Sequence, residues 1–362
     1  MSGAPVRYRT GRSGSIGFPE TVDHNHPEST GVGTGPLNVT ADSERISTAI
    51  GYLQPARGRK NLKIRSKTLV DRVIIENGRA IGVEIVSSHG RERITGNRVT
   101  LSAGAVGTPA ILLRSGIGNA PHLEALGIVP HAVLPGVGQN LIDHAHVGMS
   151  WFAPAGVVEA DSPFLQTVCW FTAPDSSKHN DMQVILLQAL PQPALKLRAM
   201  LVKPESRGSL TLRSTDPVVA PLIRLNLLSE PEDKRRMIAG IRLLGQLIAH
   251  PHMIDIGASS LVLDDQATHD ANDVQKNLAS DDWVRAYVNR MVRHYFHPVG
   301  TARMGPAHDP GAVVDQHGRV HCISQLRVAD ASVMPTIPRA NTNFPCIMIG
   351  ERVAAWMAQE SN

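Results

Sequence analysis

The sequence predicts an α/β fold with a domain change near Ser150. Three observations carry this: apolar alternation of strand length between Asn61 and Leu101, a helix-forming run directly after it, and later strand-like segments that give way to two capped amphipathic helices. With 362 residues, 42% hydrophobic and 19% charged, the chain is long and apolar enough to bury a sizeable core.

Residues 1–44 are rich in Gly, Pro, Ser and Thr and read as an irregular segment. Leu62-Lys63-Ile64 alternates, Leu69 to Ile75 reads as a strand, Asn77-Gly78 as a hairpin turn and Ala80 to Val86 as the return strand, with Arg98 to Leu101 following. Ser102 to Gly107 is a small-residue turn. Pro109 is expected to start a helix, since its missing N–H does no harm there, and Gly116 and Gly118 to end it. After a Pro-Gly stretch from Leu134 to His144, Val184 to Leu187 reads as a buried strand, and Ser209 to Leu212 and Leu222 to Leu225 as further strands. Ser229 is placed to cap a helix with Met237, Ile241, Leu244 and Ile248 on one face, and Ser280 a second with Trp283, Tyr287 and Met291. The last helix is expected from about Pro345, with Ile349, Val353 and Met357 on one face.

Bulk properties exclude several functions. The net charge of +4 is spread along the chain, and its short basic runs lack interleaved aromatics, which argues against nucleic-acid binding. The three cysteines (Cys169, Cys322, Cys346) are far apart and form no CxxC, which fits a reducing compartment better than a disulfide framework or a zinc site. The polar N-terminus lacks a signal-peptide core, and no apolar run approaches the ~20 residues of a membrane span, so a cytoplasmic protein is the expectation.

The richest segment runs from Tyr295 to Arg352: HYFHPVGTARMG, LRVADASVMP, then PRANTNFPCIMIGER. With RISTAIGYLQPARGRKNLKI (Arg45 to Ile64), SAGAVGTPAILLRSGIG (Ser102 to Gly118), LPGVGQNLIDH (Leu134 to His144) and KPESRGSLTLRSTDP (Lys203 to Pro217), it resembles the glucose-methanol-choline family of flavoprotein oxidoreductases. The motifs stand in the family's order over nearly the whole chain. The resemblance implies an incomplete FAD-binding, Rossmann-like domain plus a substrate domain with an antiparallel sheet and flanking helices. The FAD side would comprise residues 45–149 and 306–362, and the substrate domain residues 150–305.

Oxidising an alcohol to a carbonyl removes a proton and a hydride. The hydride needs an electron-poor acceptor such as flavin, the proton a base that titrates near working pH, and the developing alkoxide a polar group to hold it. The resemblance places His297 as the base and Asn341 as the oxygen-holding group, where family members carry His or Asn. It places Val70, Ala103, Gly104, Phe296, Asp330, Ala331, Asn341 and Thr342 at the FAD. The Asp143-His144-Ala145-His146 run could suggest a metal, but one HxH is weak evidence and the run matches a family loop. His294 reads as an outlying residue one helical turn before His297 if the preceding helix reaches it.

One departure stands out. The GxGxxG turn that seats a dinucleotide pyrophosphate is absent; Gly31-Val32-Gly33-Thr34-Gly35 has no preceding strand and is followed by Pro36. On usual βαβ sizes, roughly one to two hundred residues of a dinucleotide-binding unit are expected to be missing. The expected function is FAD-dependent oxidation of a primary or secondary alcohol, resembling choline and aryl-alcohol dehydrogenases. One alternative is a truncated or split member that needs an N-terminal FAD-binding polypeptide as partner; another is a hydroxynitrile-lyase-like member.

Overall fold

The computed structural model describes residues 17–40, 42, 44–158, 163–189, 193–263 and 267–360. The first sixteen residues of the segment expected to be irregular, including the polar N-terminus, lie outside the described residues. The chain divides into two compact units. The first holds the described residues up to Gly58 with Ala145–Glu205 and Glu230–Tyr295; the second holds Arg59–His144, Ser206–Ser229 and the residues from Phe296 onward.

The first unit is built on an eight-stranded antiparallel sheet. Its strands run in the order Gly31–Thr34, Leu165–Phe171, Met182–Ala189, Ala194–Leu201, Ala145–Phe152, Ser260–Val262 and Thr268–Asp270, with Arg293–His294 also pairing with Ala145–Phe152. Alternate residues of a strand face opposite sides, so Leu195, Leu197, Ala199 and Leu201 share one buried face. Helix Pro231–Ile248 packs there. A Cβ on Gly240 would lie 2.7 Å from Met182 Cε and 3.0 Å from Ala199 Cβ, so the glycine sets how closely helix and sheet approach. Met237, Ile241, Leu244 and Ile248 are all fully buried, each contributing roughly 1.5–3 kcal/mol of hydrophobic stabilisation. Arg236, also fully buried, donates to Asp181 (2.8 Å) and Asp233 (2.6 Å).

Several boundaries differ from expectation, each for a local reason. Gly31–Thr34 forms an edge strand within the segment read as irregular: a Cβ at Gly31 would sit 2.0 Å from Pro19 O, and one at Gly33 2.3 Å from Thr21 O, so only glycine lets the chains pass. The helix expected after Ser229 is entered from Glu230 with Pro231 in its first turn and no side-chain cap. Ser280 does cap its helix, accepting from the Trp283 N–H at 3.3 Å. That helix stops at Met291, and His294 lies in the short strand Arg293–His294 instead of one turn further along the helix.

The second unit has smaller sheets. Leu69–Glu76, Arg79–Ser87 and Gly90–Thr95 form a meander whose first turn puts Asn77 (φ 48) and Gly78 (φ 71) in the left-handed region, as a two-residue hairpin of this twist requires. Val99–Leu101 pairs in parallel with Leu326–Val328, and Ser209–Thr211 with Leu222–Arg224 in antiparallel. Helix Gly104–Arg114 carries Pro109 inside it, not at its start. Pro109 cannot bond the Ala105 carbonyl four residues back, and the Thr301 hydroxyl donates to that oxygen instead at 2.7 Å. The final helix, Asn343–Gln359, starts two residues before Pro345, which falls in the first turn where its missing N–H costs nothing; Ile349 and Val353 are buried in the unit's core. No helix among the described residues is long and apolar enough to cross a membrane.

Candidate active site

Two segments more than 150 residues apart in sequence are tied together in the second unit. Ile142 and Val299 exchange backbone hydrogen bonds (3.0 and 2.9 Å), which sets Asp143 and His144 beside His297. The His297 N–H donates to Asp143 Oδ1 at 3.0 Å. Beyond it the chain is stitched down: the Gly300, Ala302 and Met304 N–H groups donate to the carbonyls of Ala331, Ser332 and Val333. Gly300 has φ +92, and a Cβ there would lie 2.5 Å from Asn140 O, so this position requires glycine.

His297 is 8% exposed, and burial alone lowers its pKa from 6.5 to about 4. Its Nδ1 lies 2.9 Å from Nδ1 of His144, with the rings nearly perpendicular. Nε2 of His144 is 3.1 Å from the Pro338 carbonyl. A carbonyl only accepts, so His144 carries its proton on Nε2. A neutral His144 then offers a lone pair at Nδ1, and His297 must donate to it from its own Nδ1. That leaves Nε2 of His297 without a proton, as an acceptor facing Asn341 Nδ2 at 3.3 Å. One backbone carbonyl and two imidazoles thus fix which nitrogen of His297 is basic.

His297 and Asn341 therefore meet, as the sequence motifs imply. Phe296 takes a left-handed backbone (φ 59) and is 79% exposed beside them; that conformation costs an ordinary L residue roughly 1–2 kcal/mol. Asp330 plays an internal part. It accepts from the Gly104 N–H (3.0 Å), the Thr108 hydroxyl (2.5 Å), and the Ser332 N–H and hydroxyl (2.8 and 2.5 Å), which pins the start of helix Gly104–Arg114 to the turn at Ala331. Gly104, at φ +76, has no atom within 4 Å of a Cβ position, and Ala103 beside it is exposed. Thr342 is the N-cap residue of the last helix, and its carbonyl accepts from the Cys346 N–H. Val70 lies on strand Leu69–Glu76, opposite Ile85 and half-buried against the core. Reading the sequence missed His144 and Thr108. Both act through residues far along the chain, and in the sequence only the histidine-rich run it sits in marks His144.

Two sequence models described as GMC oxidoreductase match residues 10–146 and 204–350. The chain is 36% identical over 320 residues to a 5-(hydroxymethyl)furfural oxidase of Methylovorus sp., covering 86% of this chain and 60% of that protein. It is 32% identical over 379 residues to an oxygen-dependent choline dehydrogenase of Chromohalobacter salexigens, covering 93% and 64%. Among solved structures, pyridoxine 4-oxidase from Mesorbium loti superposes with a TM-score of 0.84 at 25% identity, covering 95% of this chain and 68% of that one. The chain spans 60 and 64% of the length of these two curated relatives. The matches give no support for a second, FAD-binding polypeptide.

Proposed function

The chain belongs to the glucose-methanol-choline family of flavoprotein oxidoreductases, and from that premise we propose that it serves the oxidation of an alcohol to a carbonyl compound, with FAD as cofactor. The observation that carries the reading is the contact of His297 Nε2 with Asn341 Nδ2 at 3.3 Å, while His297 Nδ1 faces His144 at 2.9 Å. His297 takes the hydroxyl proton at Nε2. Asn341 donates to the substrate oxygen and stabilises it as negative charge develops, without competing for the proton. His144 keeps the basic nitrogen on the substrate side and accepts from Nδ1 of the imidazolium that forms. Burial excludes water from the imidazole and keeps it neutral, ready to accept, at neutral pH.

FAD, when bound, supplies the electron-poor ring that accepts the hydride. The residues present fit such a group. Exposed Phe296 and Asn341 offer a face for a flat ring, and the open Cβ position at Gly104 admits close approach of a ligand to the backbone. Val70, Ala103, Ala331 and Thr342 are proposed as further contacts. Asp330, whose oxygens are engaged within the chain, holds the turn that Gly104 and Ala331 share.

The test is His297→Ala in the flavin-loaded protein, assayed with a benzylic alcohol. Loss of a general base lowers kcat/KM by about 10²–10⁴-fold, with flavin content unchanged. A variant that oxidises the alcohol at the original rate contradicts the assignment.

A further inference from the structure

A second polar site lies in the first unit. Helix Pro231–Ile248 covers the face of the sheet that bears Met182 and Ala199. Strand alternation places Arg198 and Met200 on the opposite face. The strand register puts two cross-strand rows there. Trp170, Gln183, Met200 and His146 form one; Val168, Ile185, Arg198 and Gly148 form the next. Val168, Trp170, Ile185 and Met200 pack as an apolar cluster with Tyr295 against it.

Arg293, opposite His146 at the end of the first row, is exposed and donates to the carbonyls of Arg290 and Val292. Arg198 is the guanidinium of the second row. Its Nη1 is 3.1 Å from Nδ1 of His146, and its aliphatic stem lies over Gly148, where a Cβ would come within 2.8 Å of Arg198 Cγ. No carboxylate of the described residues pairs with it. The groups facing it are His146, Tyr295 and Tyr287, with His294 and Arg293 beyond His146. His146 is no counter-ion: burial first, then the charges of Arg198, His294 and Arg293, lower its pKa to about 3, so it stays a neutral acceptor. Burial also works against the Arg198 charge, yet a guanidinium does not deprotonate in a protein. A half-buried cation with its Nε–Nη2 edge uncommitted is an electrostatic cost that an anion would relieve. A second observation agrees. The Trp170 indole Nε1, on the same face and 7% exposed, is buried without a hydrogen-bond partner among the described residues. Buried donors are rarely left so, and the ligand that fills this face is expected to carry an acceptor.

We propose that Arg198 binds the carboxylate of a small organic acid whose apolar body rests on the Trp170–Ile185–Met200 cluster. The planar Nε–Nη2 edge matches a carboxylate in a bidentate pair, and the apolar cluster on the same face suits a monoanion with a ring or aliphatic body better than an inorganic dianion.

Calorimetric titration of the protein with benzoate, benzyl alcohol and inorganic phosphate tests the site without turnover. Benzoate is expected to bind at least about tenfold more tightly than benzyl alcohol, and phosphate not to displace it. Arg198→Met is expected to weaken benzoate by about tenfold or more while leaving benzyl alcohol unchanged, since a charge-assisted bond is at stake. Arg198→Lys, which keeps the charge and guards against misfolding of the first variant, is expected to fall between. Benzoate binding that survives either substitution undiminished, phosphate that competes as well as benzoate, or a folded protein that ignores benzoate would each overturn the proposal. A protein that binds benzoate through Arg198 yet oxidises alcohols without His297 would sink the base role given to His297 and leave this site standing.

Discussion

The two units position side chains by different means. In the first, strands of seven and eight residues pair over long runs of register, with one shift at Leu186/Leu187, so a residue's place on the sheet decides its face, its neighbours and its burial. In the second, the sheets have two or three strands, and the histidine pair rests on loops clamped by individual hydrogen bonds: Asp143 to His297, Thr301 to Ala105, Asp330 to Gly104 and Thr108. The contrast teaches where each kind of damage should appear. Change in the first unit should reach the chemistry mainly through loss of folding, whereas change at a clamp in the second should alter the site for a modest cost in stability.

The largest expected effect lies beneath the long sheet. Arg236→Met would leave Asp181 and Asp233, both fully buried, without their shared cation. Breaking a buried ionic cluster from one side costs about 3–5 kcal/mol, and chemical denaturation should show that loss. A loss below about 1 kcal/mol would mean that the carboxylates are held by other bonds and that the contrast between the units is overstated. A smaller effect is expected at a clamp. Thr301→Val removes the donor to Ala105 O, which Pro109 already leaves without its helical partner. The cost is about 1–3 kcal/mol for an unsatisfied buried carbonyl. Because residues 300–304 are tied to the turn at 331–333, kcat/KM should fall further than stability does; equal losses would remove the distinction drawn between the units.

Legibility in the sequence follows the same division. The stripe Met237, Ile241, Leu244, Ile248, the Ser280 cap and the Asn77-Gly78 turn are local signals with one physical cause each, and the structure carries all three. The strand Gly31–Thr34 escaped notice because glycines have no side chains to alternate, and Pro109 inside a helix because its compensation, Thr301, comes 192 positions later. The pairing of His297 with Asn341 was reachable only through motif resemblance; no periodicity links residues 44 apart. His144 had no such pointer. Its role comes from the Ile142–Val299 bridge, a contact that local pattern cannot foretell.

The central claim is that His297 presents an unprotonated Nε2, fixed by the proton that its Nδ1 shares with His144. Nitrogen-15 NMR of histidine-labelled protein, with the His297 signals assigned by comparison with His297→Ala, reads this directly without any turnover. The account predicts Nδ1 in the protonated range and Nε2 in the lone-pair range from neutral pH down through 6.5, with a second proton joining only as the pH nears about 4. A His297 that carries its proton on Nε2, or that titrates at the ordinary value of 6.5, would contradict it.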